Sequence, residues 1–465
     1  MSTPPPLAGG AQGSQALRPL LTATLEALRT GAAARGGPLP AGGPTAVAAR
    51  VREATGEVLP ERGEGAEAAL RTLVHALAEG AADPADALCA AHLHCPPLAL
   101  AVAADLAACA LNPSMDSWDQ APAASEIEAL VTRALAAELY GTGQGGADAL
   151  VTTGGTESNQ LALLLARERT AAHGPVQLLT GENAHHSLGR AAWLLGMPDP
   201  VTVPAPAGVL DPAALDEALT QLTGPPGTFL VAATAGTTDA GLIDPLGQIA
   251  DLCAEHGARL HIDAAYGGPL LFSGVRRELL HGMERADSVT FDLHKLGWQP
   301  VAAGLLLVRD PHDIAALGHH ADYLNADDDT EAGLPDLLGR SLRTTRRPDV
   351  LKIAVTLKAL GREGIGALVD QVCDQALEFA ALIDAHPGFE LYDRPALSTV
   401  LFRPVGADDD HIAYVRRELL NQGRAVLGRA VIDGRRWLKA TLLNPHTRSG
   451  DLAGILKLVE GTTPR

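Results

Sequence analysis

Ala258-Arg-Leu-His-Ile-Asp-Ala-Ala-Tyr-Gly-Gly268 decides the fold. Its opening, Ala258–Ile262, reads as a short strand that runs out into Asp263 and a cluster of small residues. Six more β-rich runs surround it: Ala149–Thr153, Val176–Thr180, Val201–Val203, Phe229–Thr234, Ser288–Phe291 and Gly304–Val308. Several are continuously apolar rather than alternating, as expected of strands covered on both faces. Stretches between them carry helical spacing, such as Glu157–Ala172 and Leu246–Glu255. Strand and helix in repetition predict an α/β domain built on a mostly parallel sheet.

Toward the N-terminus, Ala16–Thr30 and Thr45–Glu53 read as helices separated by the breaker stretch Gly36–Gly43, after a loose tail at Met1–Gln15. That tail has neither the basic start nor the apolar centre of a signal peptide, and no apolar run reaches the ~18 residues of a membrane span. Toward the C-terminus, the acidic stretch Asn325–Glu331 reads as a solvated loop, with a lid as its functional version. Asp349–Leu360 and Gly366–Asp384 then look helical, and Leu397–Phe402 and Trp437–Leu442 look β-like, so the C-terminal part is α+β.

The formal net charge of −19 over 465 residues argues against nucleic acid or an anionic membrane as partner. Five cysteines without a CxxC pair suit a reducing compartment and offer no disulfide framework or zinc ribbon. Lysine is scarce: Lys295 is the first, followed only by Lys352, Lys358, Lys439 and Lys457.

Chemistry concentrates just after the strands, where open α/β sheets bind ligands. Asp292-Leu-His-Lys295 is one such place. A lysine is by default a surface charge, but an apolar run follows this one and an acid precedes it. A lysine amine in such surroundings can act as a Schiff-base nucleophile. Asp263 is by default a turn or cap residue; functionally it is a carboxylate that keeps a pyridine nitrogen protonated so that the ring accepts electrons. Ala265 beside it has no bulk, as a flat ring would require.

Thr152-Thr-Gly-Gly-Thr-Glu-Ser-Asn159 runs from a strand into a helix. Gly154 and Gly155 let backbone amides approach a ligand, and Thr156 is placed to cap the helix, the arrangement that binds phosphate. Gly141-Thr-Gly-Gln-Gly-Gly146 resembles a dinucleotide loop only superficially, since a strand follows it. In Asn183-Ala-His-His-Ser187, His185 is either a structural hydrogen bonder or a ring that stacks on a planar cofactor and passes protons. His92 and His94 lack metal-ligand spacing, and no metal is expected.

Together and in this order these residues resemble the pyridoxal-dependent decarboxylases that include the aromatic-amino-acid and glutamate enzymes. His92–Pro97, Asn112–Gln120, Ala233–Thr238, His261–Gly268, Asp292–Lys295 and Thr344–Arg347 carry the likeness. Ser114–Gln120, His294–Pro300, Tyr323–Asn325 and Leu442–Pro445 point to the bacterial diamino-acid branch, the L-2,4-diaminobutyrate and siderophore-pathway lysine decarboxylases.

The resemblance implies a fold type I enzyme, aspartate-aminotransferase-like, with a seven-stranded mostly parallel sheet. Its large domain would span 76–345, after an N-terminal segment (1–75) packed on the partner subunit and before a small domain (346–465). It further implies a cytoplasmic homodimer with the active site at the interface and pyridoxal 5'-phosphate as cofactor. Lys295 becomes the Schiff-base lysine, Asp263 the pyridinium partner and His185 the stacked ring. Gly155, Thr156 and His294 fall on the phosphate side, and Thr238 and Ala265 against the ring. Animal aromatic decarboxylases reprotonate their intermediate with a loop tyrosine. The matching position here is Leu337, which leaves His185 and Tyr323 as candidates. Rival readings are an acidic or aromatic decarboxylase, an aldehyde-forming oxidative decarboxylase, an aminotransferase, a non-catalytic pyridoxal-binding protein and a metal hydrolase on His92 and His94.

Overall fold

The computed structural model describes residues 4–143 and 146–462. The Gly141–Gly146 stretch therefore lies partly outside the described residues. So does the expected tail Met1–Gln15, whose described part is already helical from Gly13.

Twelve strands among the described residues form two sheets. They are β1 (Cys89–Ala90), β2 (Asp148–Thr152), β3 (Gln177–Gly181), β4 (Val201–Val203), β5 (Phe229–Thr234), β6 (Arg259–Ala264), β7 (Ser288–Asp292), β8 (Gly304–Val308), β9 (Phe389–Leu391), β10 (Thr399–Pro404), β11 (Val426–Ile432) and β12 (Arg435–Thr441). The large sheet has the order β2-β8-β7-β6-β5-β3-β4, and β8 alone runs against the other six. These seven are the seven β-rich runs of the sequence.

Both faces of this sheet are covered, which is why its central strands are buried along nearly their whole length. Leu178, Leu230 and Ala232 face one way, onto Leu163 and Ala166 of helix Gly155–Thr170 and Leu188 and Ala191 of helix Ser187–Leu194. Their neighbours Leu179, Val231 and Ala233 face the other way, into a cluster with Leu135, Ile249 and Ile353 from three further helices. Each such Leu, Ile or Val contributes about 1.5–3 kcal/mol by leaving water.

The second sheet, β1-β11-β12-β10-β9, is antiparallel except where β1 pairs in parallel with β11. Its core gathers Phe379, Phe402, Ile412, Leu438 and Val459. One helical run, Val350–Asp384, serves both cores; it breaks at Gly361, whose φ of 63° and ψ of −179° suit glycine. Just before this run, Arg346 makes a buried bidentate pair with Glu128 at 2.6 and 2.7 Å. The expected loop Asn325–Glu331 instead winds into two short exposed turns of helix, Asp322–Asn325 and Asp327–Glu331.

At the N-terminus helices Gly13–Arg35 and Ala66–Gly80 pack closely at Gly31, where a Cβ would meet the His75 carbonyl oxygen at 2.5 Å. Leu25, Leu28, Leu73 and Leu77 of this pair remain exposed to solvent.

Candidate active site

Because six strands of the large sheet run the same way, their C-terminal ends share one edge, and the loops leaving β2, β3, β5, β6 and β7 converge there. A cavity of about 440 Å³ opens at this edge. Gly155, Thr156, His185, Thr238, Asp263, Ala265, His294 and Lys295 all line it. Tyr323 is not among them; its side chain stands 81% exposed on the helical turn Asp322–Asn325. Leu337 is buried and lines a different cavity, with Glu128 and Asp148. His92 and His94 are exposed.

The loop from β2 enters helix Gly155–Thr170 through Gly154, whose φ is 151°. A Cβ on Gly154 would lie 2.7 Å from His294 Cε1, and one on Gly155 3.0 Å from Ala265 Cβ, so the two glycines keep the cavity floor open. The expected cap at Thr156 is not formed. Gly154 takes the cap position, Thr156 sits in the first turn, and Glu157 reaches back to accept from the Thr153 amide at 2.6 Å. The reach of the longer glutamate side chain replaces the threonine cap.

Lys295 Nζ is 3.4 Å from Asp292 Oδ2, which also lies 3.5 Å from His294 Nε2 and accepts from the Gly155 amide at 3.1 Å. Asp292 Oδ1 and His294 Nδ1 are buried without a hydrogen-bond partner among the described residues. Burial pushes the Asp292 carboxyl up, against the pull of Lys295 and His294. Burial also holds His294 below the usual histidine value, with Asp292 opposing.

Asp263, the fifth residue of β6, accepts from the Ala265 amide at 3.1 Å and from Asn159 Nδ2 at 2.8 Å. Asn159 Nδ2 also reaches Ser187 Oγ at 2.9 Å, and Ser187 Oγ is 2.7 Å from His185 Nδ1. On its other side, Asn159 Oδ1 accepts from Thr290 Oγ1 at 2.7 Å and from His261 Nε2 at 3.0 Å. Asn159, Ser187, His261 and Thr290 are all buried. Burial lowers His185, with Asp263 opposing, and brings His261 down to about 4.

Sequence reasoning missed Asp292, Asn159, Ser187 and His261 as site residues, although all four stand in the quoted motifs. The available signals were spacing: Asp292 is three residues before Lys295, and Asn159 is four after Gly155, on the same helix face.

Residues 53–405 match the model of the pyridoxal-dependent decarboxylase conserved domain. The chain belongs to the pyridoxal-dependent decarboxylase family. This decarboxylase is 41% identical over 421 residues to an L-2,4-diaminobutyrate decarboxylase of Rhizobium meliloti (strain 1021), an alignment covering 88% of this chain and 84% of the relative. An L-2,4-diaminobutyrate decarboxylase of Acinetobacter baumannii is 36% identical over 402 residues, covering 79% and 78%. Among solved structures, the glutamate decarboxylase domain of diaminobutyrate-pyruvate transaminase and L-2,4-diaminobutyrate decarboxylase from Vibrio parahaemolyticus superposes with a TM-score of 0.86 at 32% identity, covering 98% of this chain and 97% of that one.

Pyridoxal-phosphate-dependent amino acid decarboxylation is thus the activity of this fold type I enzyme, as expected from its motifs. The cavity suits the cofactor. It offers a helix N-terminus with two glycines and two unspent buried polar atoms at His294 and Asp292, a carboxylate already held by two donors at Asp263, and the primary amine of Lys295.

Proposed function

We propose that this decarboxylase converts a diamino acid, L-2,4-diaminobutyrate, into carbon dioxide and 1,3-diaminopropane. The carrying observation is the 41% identity over 88% of the chain to the Rhizobium meliloti enzyme of that name, against 35% over 63% to a rat cysteine sulfinic acid decarboxylase. The cavity supports the reading. Its lining, among the described residues, includes no arginine to pair with an acidic substrate side chain. The acidic residues Asp327–Asp329 and Glu331 do not line it.

In this reading Lys295 would anchor the cofactor through its amine, Asp263 would pair with the ring nitrogen, and His185 would lie against the ring. Gly155, Thr156 and His294 would hold the phosphate, with Thr238 and Ala265 on the ring side. When bound, pyridoxal phosphate supplies an aldehyde that captures the substrate amine and a protonated ring that draws off the electron pair left by the carboxylate. The Asp263 carboxylate, fixed by the Asn159 amide and the Ala265 N–H, keeps a proton on the ring nitrogen. Asp292 Oδ2, 3.4 Å from Lys295 Nζ, is placed to accept from the lysine amine. His185 delivers the proton that replaces the lost carboxylate, because it lines the cavity of its own chain and Tyr323 does not.

The enzyme works as a homodimer in this reading, with the exposed Leu25, Leu28, Leu73 and Leu77 of the N-terminal helices covered by the partner subunit. A cytoplasmic location and a role in polyamine or siderophore synthesis complete it; the five cysteines, all free thiols, support a reducing compartment.

A decarboxylation panel of diaminobutyrate, ornithine, lysine, glutamate, aspartate and aromatic amino acids, read as carbon dioxide and amine released, tests the assignment. Diaminobutyrate should lead the panel in kcat/KM by about tenfold or more, the preference one well-placed polar contact supplies. A higher kcat/KM for glutamate or an aromatic substrate would reject it.

A further inference from the structure

The hydrogen bonds beneath the cavity admit only one direction. A carboxylate accepts and never donates, so the Asn159 side chain must turn its Nδ2 toward Asp263 Oδ2 at 2.8 Å. The second hydrogen on Nδ2 then goes to Ser187 Oγ at 2.9 Å. On the other side, Asn159 Oδ1 is left to accept, which fits Thr290 Oγ1 at 2.7 Å and requires a proton on His261 Nε2 at 3.0 Å. Burial keeps His261 neutral, so its Nδ1 is the bare nitrogen, and the Ser288 hydroxyl 2.9 Å away donates to it.

Ser187 has one hydroxyl hydrogen, and its oxygen already accepts from Asn159. That hydrogen is therefore free for His185 Nδ1, 2.7 Å away. A second contact makes the same demand, because the Ser187 backbone N–H, which can only donate, lies 3.3 Å from the same Nδ1. With Nδ1 accepting from both, a neutral His185 carries its proton on Nε2. Any polar contact the ring makes within the cavity is likewise left to Nε2.

We propose that Asn159 and Ser187 are positioning residues that lock His185 in the tautomer protonated at Nε2, tying it to the Asp263 carboxylate through one directional chain of hydrogen bonds. Neither residue touches the cavity, yet together they decide which nitrogen of the His185 ring can give up a proton. The inference rests on the reading of this cavity as the reaction site, but the tautomer itself does not depend on which substrate is used.

Nitrogen-15 NMR of the histidine-labelled holoenzyme, with His185→Gln to assign the resonance, reads the tautomer directly. Wild type should show a bare Nδ1 and a protonated Nε2. Ser187→Ala, which removes the 2.7 Å hydroxyl contact and leaves only the longer 3.3 Å backbone one, should weaken the lock to a tautomer mixture and lower kcat about tenfold with KM within about twofold, the loss of one hydrogen bond. Ser187→Thr, which keeps the hydroxyl, should restore both. A wild-type ring protonated at Nδ1 overturns the proposal whether or not the variants fold. So does a folded Ser187→Ala enzyme with the wild-type tautomer and kcat. Failure on every amino acid of the panel, with the tautomer as stated, would count against the functional reading and not against the relay.

Discussion

Lys295 Nζ stands 3.4 Å from the Oδ2 of Asp292, three residues earlier in the chain, and the aspartate side chain of this pair is 1% exposed. The lysine amine thus stays at the end of β7 beside an acid that burial makes reluctant to ionise.

This geometry singles out one lysine of five. Borohydride reduction of the holoenzyme should fix the pyridoxyl label on the peptide carrying Lys295 alone. Lys295→Ala should lose the label and at least about a thousandfold in turnover. Peptide mass spectrometry and carbon dioxide release check both. A label on Lys352, which is buried between Asp105 and Asp349, would reject the role given to Lys295.

His185 and Tyr323 separate cleanly. His185→Gln should lower kcat about a hundredfold, the usual contribution of a positioned proton donor. Tyr323→Phe should stay within about twofold of wild type in steady-state assays, since Tyr323 does not line the cavity. The opposite ranking would assign the proton to the loop.

His261 makes stability depend on pH. Its folded value is pulled down to about 4 by burial, so below the ordinary histidine value the unfolded chain binds more protons than the folded one. Stability should be flat above about pH 6.5 and fall as pH drops from 6.5 toward 4, by on the order of 3 kcal/mol from this group. His261→Gln keeps an N–H for Asn159 and should remove that part of the loss. Urea unfolding of both proteins at pH 7 and pH 4.5 checks it; equal losses would count against a neutral buried imidazole.

The large sheet was legible because strands covered on both faces tend to run continuously apolar, as β8 does and β5 does up to Thr234. The two helices read at Asp349–Leu360 and Gly366–Asp384 correspond to the halves of the run broken at Gly361. In the small sheet, β1 and β9 have two and three residues, too few for a pattern, and β11 is interrupted by Gly428 and the exposed Arg429. At the site, residues that line the cavity sit in recognisable motifs. Asn159 and Ser187 act beneath it, through contacts between β6, β7 and two helices that no local spacing records.

The helical run Val350–Asp384 gives these two halves a common fate. Beyond Gly361, Ile365, Val369 and Val372 belong to the core of the large sheet, and Ala376, Phe379 and Ile383 to the core of the small one. Melting either half would strip apolar cover from the same rod that the other half needs. Heat or denaturant should therefore meet a single cooperative structure, with the cavity lost in the same step as the distant small sheet.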